Sequence, residues 1–369
     1  MAQVRSRPVP EGPDAPEPGV PAGRPASTRL APGWLLALMV ANTVTAIGLF
    51  GDIARHVSLA ATLEGDAFLA GWHLVLYGGV AGGALVLGAL AFVHGPAAPW
   101  RALPAATAGV AVLTLGGTTD LLWHEAYGVE AAFQALVSPP HLLIFAGLVM
   151  LMVAPVAAVV EGPSRPVDAV RSVVLALSLT SLLLVVSLFT GYLTPLVGGS
   201  EFQAGAYQEP LIGTSLLDYD ISRGLGVSLW FSALISLVVV GVRSRAAPVA
   251  GTWTLTFGLL GLAPLVATGT VTLPLTFGLV TFGLVSDLTA TRRRPHPLAT
   301  GLAAASLWAV LFAGVAGRGD LIWNQELWGG VVTSSFLVGA AVGAALRWIA
   351  APTRPQVVAA EAPAGDGTP

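Results

Sequence analysis

The chain has 369 residues, of which 54% are hydrophobic and 10% charged. Its mean hydropathy is +0.77. A soluble domain carries about a quarter charged residues, so this composition points to an integral membrane protein. There is no cysteine, which excludes disulfides, thiolate metal sites and iron–sulfur clusters. The formal charge of −3 says little, because position along the chain matters more than the sum. Nothing in the sequence points to nucleic acid.

Residues 1–33 are rich in Pro and Arg and hold no apolar run before Trp34. They read as a disordered cytoplasmic tail, and the first hydrophobic segment begins too late for a cleavable signal peptide of the usual form. A spanning helix needs about 20 apolar residues. That rule places spans near 34–54, 68–93, 104–123, 141–160, 170–193, 218–242, 252–269, 271–288, 299–317 and 328–349. The seventh and eighth share one apolar run, broken only by ATGTVT and carrying Pro264 and Pro274. They read as two spans or as one span with a re-entrant piece. Residues 351–369 form a second disordered tail.

All 17 basic residues are arginine. With the N-terminus in the cytoplasm, fourteen of them fall inside and only Arg55, Arg223 and Arg318 outside. This is the asymmetry the positive-inside rule requires. The expected fold is therefore an all-α polytopic membrane protein with about ten transmembrane helices in five hairpins and both termini cytoplasmic. One transmembrane domain covers 34–350, with hairpins at 34–98 and 99–163 and three more over 164–350. A bacterial cytoplasmic membrane is the expected location.

The first two hairpins read as a duplication. At an offset of 68 residues, Asp52 maps to Asp120, His56 to His124 and His73 to His141. The flanking text agrees, WHLVLYGG against PHLLIFAG. In the fifth hairpin GDLIWNQELWG keeps part of the pattern, with Asp320 conserved in place and Asn324 where a histidine would stand. Asp320 and Asn324 either shape a substrate pocket or hold that hairpin through an Asp320–Arg318 pair. Internal duplication is frequent among membrane folds.

Asp and His four residues apart share one face of a helix. Each motif sits at the outer end of an ascending span, where a carboxylate meets the negative end of the helix dipole and calls for a cation. The second histidine opens the descending span, and in the second copy Ser138 is placed to cap that helix ahead of Pro139 and Pro140. Asp52, His56 and His73, and again Asp120, His124 and His141, thus offer three ligands with coordination positions left open. That is the arrangement of a reactive metal site. Nitrogen and oxygen donors suit Cu(II), Fe(II) or Zn(II). Glu125 and Glu130 are candidates for outer ligands or partners of the histidines, and Trp123 and Tyr127 for lining a substrate pocket. Intramembrane ionisable groups are costly and tend to mark function, although a structural polar network explains the same residues. A haem held by His73 and His141 would leave the aspartates unexplained. His94 and His296 fall in expected cytoplasmic loops.

The run DLLWHEAYG…SPPHLLIF resembles the copper-binding segment of the C subunit of particulate methane and ammonia monooxygenases. Asp120, His124 and His141 match its three ligands, Trp123 its tryptophan and Pro139 its proline. The first copy matches only at Asp52, His56 and His73. The chain also resembles a broad group of bacterial multi-pass membrane proteins with paired D-x-x-x-H…P-x-H motifs. The likeness covers about 25 residues, twice, with wider spacing between the histidines and without a cupredoxin-like domain. It implies copper ahead of iron or zinc, and an oxidase or monooxygenase-like activity on a small or lipid-soluble substrate. Electrons would come from an external donor. The alternative left open is a metal-handling protein without catalysis: a transporter, a metallochaperone or a sensor.

Overall fold

A computed structural model describes residues 30–58, 71–128, 136–161, 166–196, 214–268, 272–291, 296–321 and 323–349, with the side chains of 54–58, 192, 214–220, 266–268 and 291 excepted. Residues 1–29 and 350–369, Glu130 and the side chain of His56 lie outside the described set, whereas Pro32 and Gly33, expected in the first tail, already belong to a helix.

Helices account for nearly all of it. They are α1 (Pro32–Ser58), α2 (Trp72–His94), α3 (Ala98–Ala102), α4 (Pro104–Tyr127), α5 (Pro139–Val160) and α6 (Ala169–Phe189). The second half holds α7 (Thr214–Arg243), α8 (Thr252–Leu260), α9 (Ala263–Thr268), α10 (Leu273–Leu288), α11 (Pro297–Ala316) and α12 (Gln325–Ile349). Eight of these are long and apolar enough to cross a membrane, the make-up of an integral membrane protein. Leu85, Phe92, Leu115, Leu302 and Leu337 are all more than half exposed on the outer surface, which suits hydrocarbon and not water.

The apolar run at 252–288 behaves differently from the rest. Thr252–Leu265 and Leu273–Leu288 are shorter apolar helices. At about 1.5 Å rise per residue the longer of them measures about 24 Å, against about 30 Å of hydrocarbon. Gly261 ends α8, and its carbonyl accepts the Thr276 hydroxyl at 2.7 Å. This bond fastens the break to α10. Asp287, near the end of α10, caps the start of α8 from across the interface. It accepts Thr254 N–H at 2.8 Å, the Thr254 hydroxyl at 2.7 Å and Trp253 N–H at 3.3 Å. Hydropathy alone sees neither the short lengths nor this distant cap.

Two groups of helices pack into one body. In the first, α1 lies along α2, α4 along α5, and α6 rests against both α1 and α5. In the second, α11 lies between α10 and α12, and α7 packs on α12. Contacts of α6 with α8 and of α1 with α9 join the two groups. Small side chains allow close approach, as is usual where lipid removes any hydrophobic drive for association. Ser178, Ser228, Ser232, Ser236 and Thr256 are fully buried between helices, and Trp308 donates its indole N–H to Ser232 at 2.8 Å.

The α1–α2 and α4–α5 pairs share a register. Gly48 lies against the backbone of Leu76, and 68 residues later Gly116 lies against that of Ile144. Gly79 lies against Thr45, and Gly147 against Leu113, again 68 positions on. The pairs also touch reciprocally: α1 meets α5 and α2 meets α4, the contacts a two-fold exchange of the pairs would produce. Within this seam Asn42 of α1 donates its amide to the carbonyl of Leu151 on α5 at 3.1 Å.

Candidate metal centre

The C-terminal ends of α1 and α4 and the N-terminal ends of α2 and α5 bring the sequence-selected acid and imidazole groups together. His73 Nε2 stands 3.1 Å from Asp52 Oδ1. In the second pair, Asp120 Oδ1 faces His141 Nδ1 at 3.4 Å and His124 Nε2 at 3.7 Å. The His124 and His141 ring centres are 6.1 Å apart. These five side chains are between 15% and 27% exposed, so they are neither splayed into lipid nor sealed from a solute.

The second cluster contains an unusual oxygen. Asp120 Oδ1 is buried and has no hydrogen-bond partner. Both imidazole nitrogens are beyond the usual hydrogen-bond range of about 2.7–3.2 Å. Leaving a buried carboxylate oxygen unsatisfied is expensive, so a positive charge belongs beside it. Donors about 2.0–2.2 Å from one tetrahedral ion stand about 3.4 Å from each other, near the 3.7 Å between His124 Nε2 and Asp120 Oδ1. Even so, among the described residues no group of three or more His, Cys, Asp or Glu side chains is gathered tightly enough to hold a metal ion as it stands. Each aspartate oxygen instead faces one imidazole, at Asp52, or two, at Asp120.

Local sequence explains how His141 is aimed. Pro139 and Pro140 occupy the first turn of α5 and have no N–H to offer. The Ser138 hydroxyl makes no cap to the helix; it pairs with His141 Nδ1 at 2.8 Å. The expected cap is therefore replaced by a side-chain bond that fixes the ring and occupies its Nδ1.

Other sequence-selected residues separate from the cluster. Glu125 and Tyr127 are exposed, and the Trp123 and Tyr127 rings pack on each other at 4.6 Å. Asn324 accepts Leu327 N–H at 3.1 Å and so caps α12. Among the described residues no ion pair joins Asp320 to Arg318, contrary to the structural alternative weighed for that hairpin. His94 is the last residue of α2, edge-on to Trp34 at 6.0 Å. His296 caps α11, its ring accepting Leu298 N–H at 3.3 Å. Both do local structural work instead of sitting in free loops.

One residue of the site went unselected. Tyr77, one turn after His73 on α2, stacks on that ring at 5.9 Å with planes 12° apart. The signal was its four-residue spacing from His73, hidden by how common aromatics are at this membrane depth.

No family model, curated protein or solved structure matches the chain, so the chemistry of the cluster rests on its own residues.

Proposed function

We propose that this is a membrane metalloprotein whose Asp/His clusters hold transition-metal ions at the outer face of the bilayer. Asp120, His124 and His141 form the better-described set, and Asp52, His56 and His73 its counterpart. The observation that carries the reading is the buried, unpartnered Asp120 Oδ1 with an imidazole nitrogen at 3.4 Å and another at 3.7 Å. The arginine asymmetry supports the sidedness, and the shared register of the two helix pairs supports an internal duplication.

Nitrogen and oxygen donors without thiolate fit copper, iron or zinc, and the motif resemblance favours copper. A haem would use the imidazoles but not the carboxylates that accompany them. The activity proposed is that of a copper-dependent oxidase or monooxygenase-like enzyme. A monooxygenation would consume dioxygen with two electrons and two protons from an external donor. One oxygen atom enters a small or lipid-soluble substrate and the other leaves as water.

Elemental analysis of the purified protein tests the metal. The expected result is stoichiometric metal in the wild type and its loss in His124→Ala and His141→Ala. Equal trace amounts in all three would end the reading. A second reading, non-catalytic metal handling, is favoured by the pairwise approach of the donors, which suits transient binding. Oxygen consumption with a supplied electron donor supports the enzyme; metal release to a chelator or acceptor without oxygen consumption supports handling.

A further inference from the structure

We propose that the groove between α2, α3 and α4 holds one anionic phospholipid of the bilayer, with an acyl chain in the groove and the phosphate at Arg101. The groove lies at the end of these helices opposite the Asp/His clusters, and the proposal is independent of the metal reading above.

Small residues and prolines build the groove. Gly88 and Ala91 of α2, Pro99 and Trp100 of α3, and Thr107 and Val110 of α4 line a hollow of about 260 Å3. A methyl group added at Gly88 would meet nothing within 4 Å, although the same helix closes tightly on Thr45 of α1 at Gly79. Thr107 donates its hydroxyl to the Leu103 carbonyl at 3.0 Å, so the side-chain wall is apolar apart from the Trp100 indole. Gly88 lies six residues before the end of α2, about 9 Å deeper in the hydrocarbon at 1.5 Å per residue. Small-molecule pockets enclose about 300–1,000 Å3. This hollow is smaller, and Gly88 and Trp100 leave it open to the outer surface, which suits a single hydrocarbon chain.

The mouth offers what a head group needs. Trp100 is 56% exposed, at the depth where tryptophan marks a membrane interface, and its indole N–H has no partner among the described residues. Arg101, the next residue of α3, is exposed, and among the described residues no carboxylate pairs with it. Arg171, by contrast, is taken up by Asp168. A fixed cation and an indole donor above an apolar slot are complementary to a phosphate above a fatty chain. The arginine asymmetry reads this end as cytoplasmic, the leaflet whose negative surface attracts basic side chains.

Native mass spectrometry of the full-length protein in mild detergent tests this, with phosphatidylglycerol or phosphatidylcholine of identical chains added. The wild type should retain one phosphatidylglycerol, about fivefold more tightly than phosphatidylcholine, the effect of one basic side chain at an anionic surface. Arg101→Gln should abolish the preference. Gly88→Leu fills the slot and should lose retained lipid of either kind, whereas Gly88→Ala should keep it. Val110→Phe fills the slot from α4 and replaces Gly88→Leu if that variant melts early. Equal retention of the two lipids by the wild type would overturn the head-group assignment. A folded slot-filling variant that still retains phosphatidylglycerol would overturn the groove as its seat. Graded retention of many lipids, with no step at one, would mean an annular coat only and overturn the site.

Discussion

Ser138 and His141 are joined side chain to side chain, Oγ to Nδ1 at 2.8 Å, at a place where a cap would ordinarily run from side chain to backbone. The two prolines between them offer no N–H, and the hydroxyl turns to the His141 ring instead of the His141 backbone. The serine consequently orients an imidazole that faces Asp120. If His141 binds Cu2+ through Nε2, with Ser138 on Nδ1, Ser138→Ala should weaken that binding by about ten- to a hundredfold, the range for partners of ligating histidines. Thermal stability should fall by no more than about 1 kcal/mol, the worth of one ordinary hydrogen bond. Titration with Cu2+ alongside a melting curve checks both.

The glycines of the shared register make a packing prediction. A methyl group at Gly48 would run into the backbone of Leu76, and one at Gly116 into that of Ile144. Gly48→Ala should cost about 1–3 kcal/mol, the range for overpacking, and Gly116→Ala, where the contact is looser, should cost less. Gly88→Ala meets open space and should be neutral or slightly stabilising. Melting temperatures in detergent distinguish the three, and equal values would show that the helix pairs are not held this closely.

Asp287 offers a test of the short helices. Three donors at the start of α8 converge on its carboxylate. Asp287→Ala should destabilise by about 2 kcal/mol, the upper end of cap losses. Asp287→Asn keeps one acceptor oxygen and should cost less. Limited proteolysis across 261–272 would show whether the loosened segment opens first.

A pH effect is expected at the opposite end of α6. Asp168 caps that helix, accepting Arg171 N–H at 2.8 Å and the Arg171 guanidinium at 3.0 Å. The backbone hydrogen bond from Arg171, first, and then the nearby guanidinium hold its carboxyl below the ordinary carboxylate range. Because the folded value is the lower one, the stabilisation is complete above the ordinary carboxylate pKa of about 4 and is lost as pH falls through the depressed value. Asp168→Ala should cost about 1 kcal/mol near neutrality, with the smaller end favoured by the half-exposed side chain. The gap between wild type and variant should close in acid. A gap that persists unchanged at low pH would assign the effect to something other than the charge.

Much of this arrangement was legible in one dimension. Apolar length located the helices, from Trp34 in the first to Trp348 in the last, because lipid forces backbone bonds to close within each span. The repeated Asp-x-x-x-His spacing located both clusters. What hydropathy could not register was length against thickness at 252–288, since composition there is as apolar as elsewhere. Nor could it register bonds between distant positions, such as Asp287 with Thr254 or Asn42 with Leu151. The Ser138 expectation failed for a local reason: the hydroxyl that would accept a helix N–H is engaged by the His141 ring. Asn324, where the other copies have histidine, proved to be a helix cap, a role asparagine fills well.

Position 145, which stands 68 residues after Tyr77, is phenylalanine, and it packs on Phe189 at 4.6 Å. The phenolic oxygen is thus present on one side of the seam only. The two helix pairs share a register of close contacts and yet differ in chemistry at this position. Whatever occupies the pair of clusters, its two members sit in chemically unlike surroundings, and an experiment that averages over them would miss the difference.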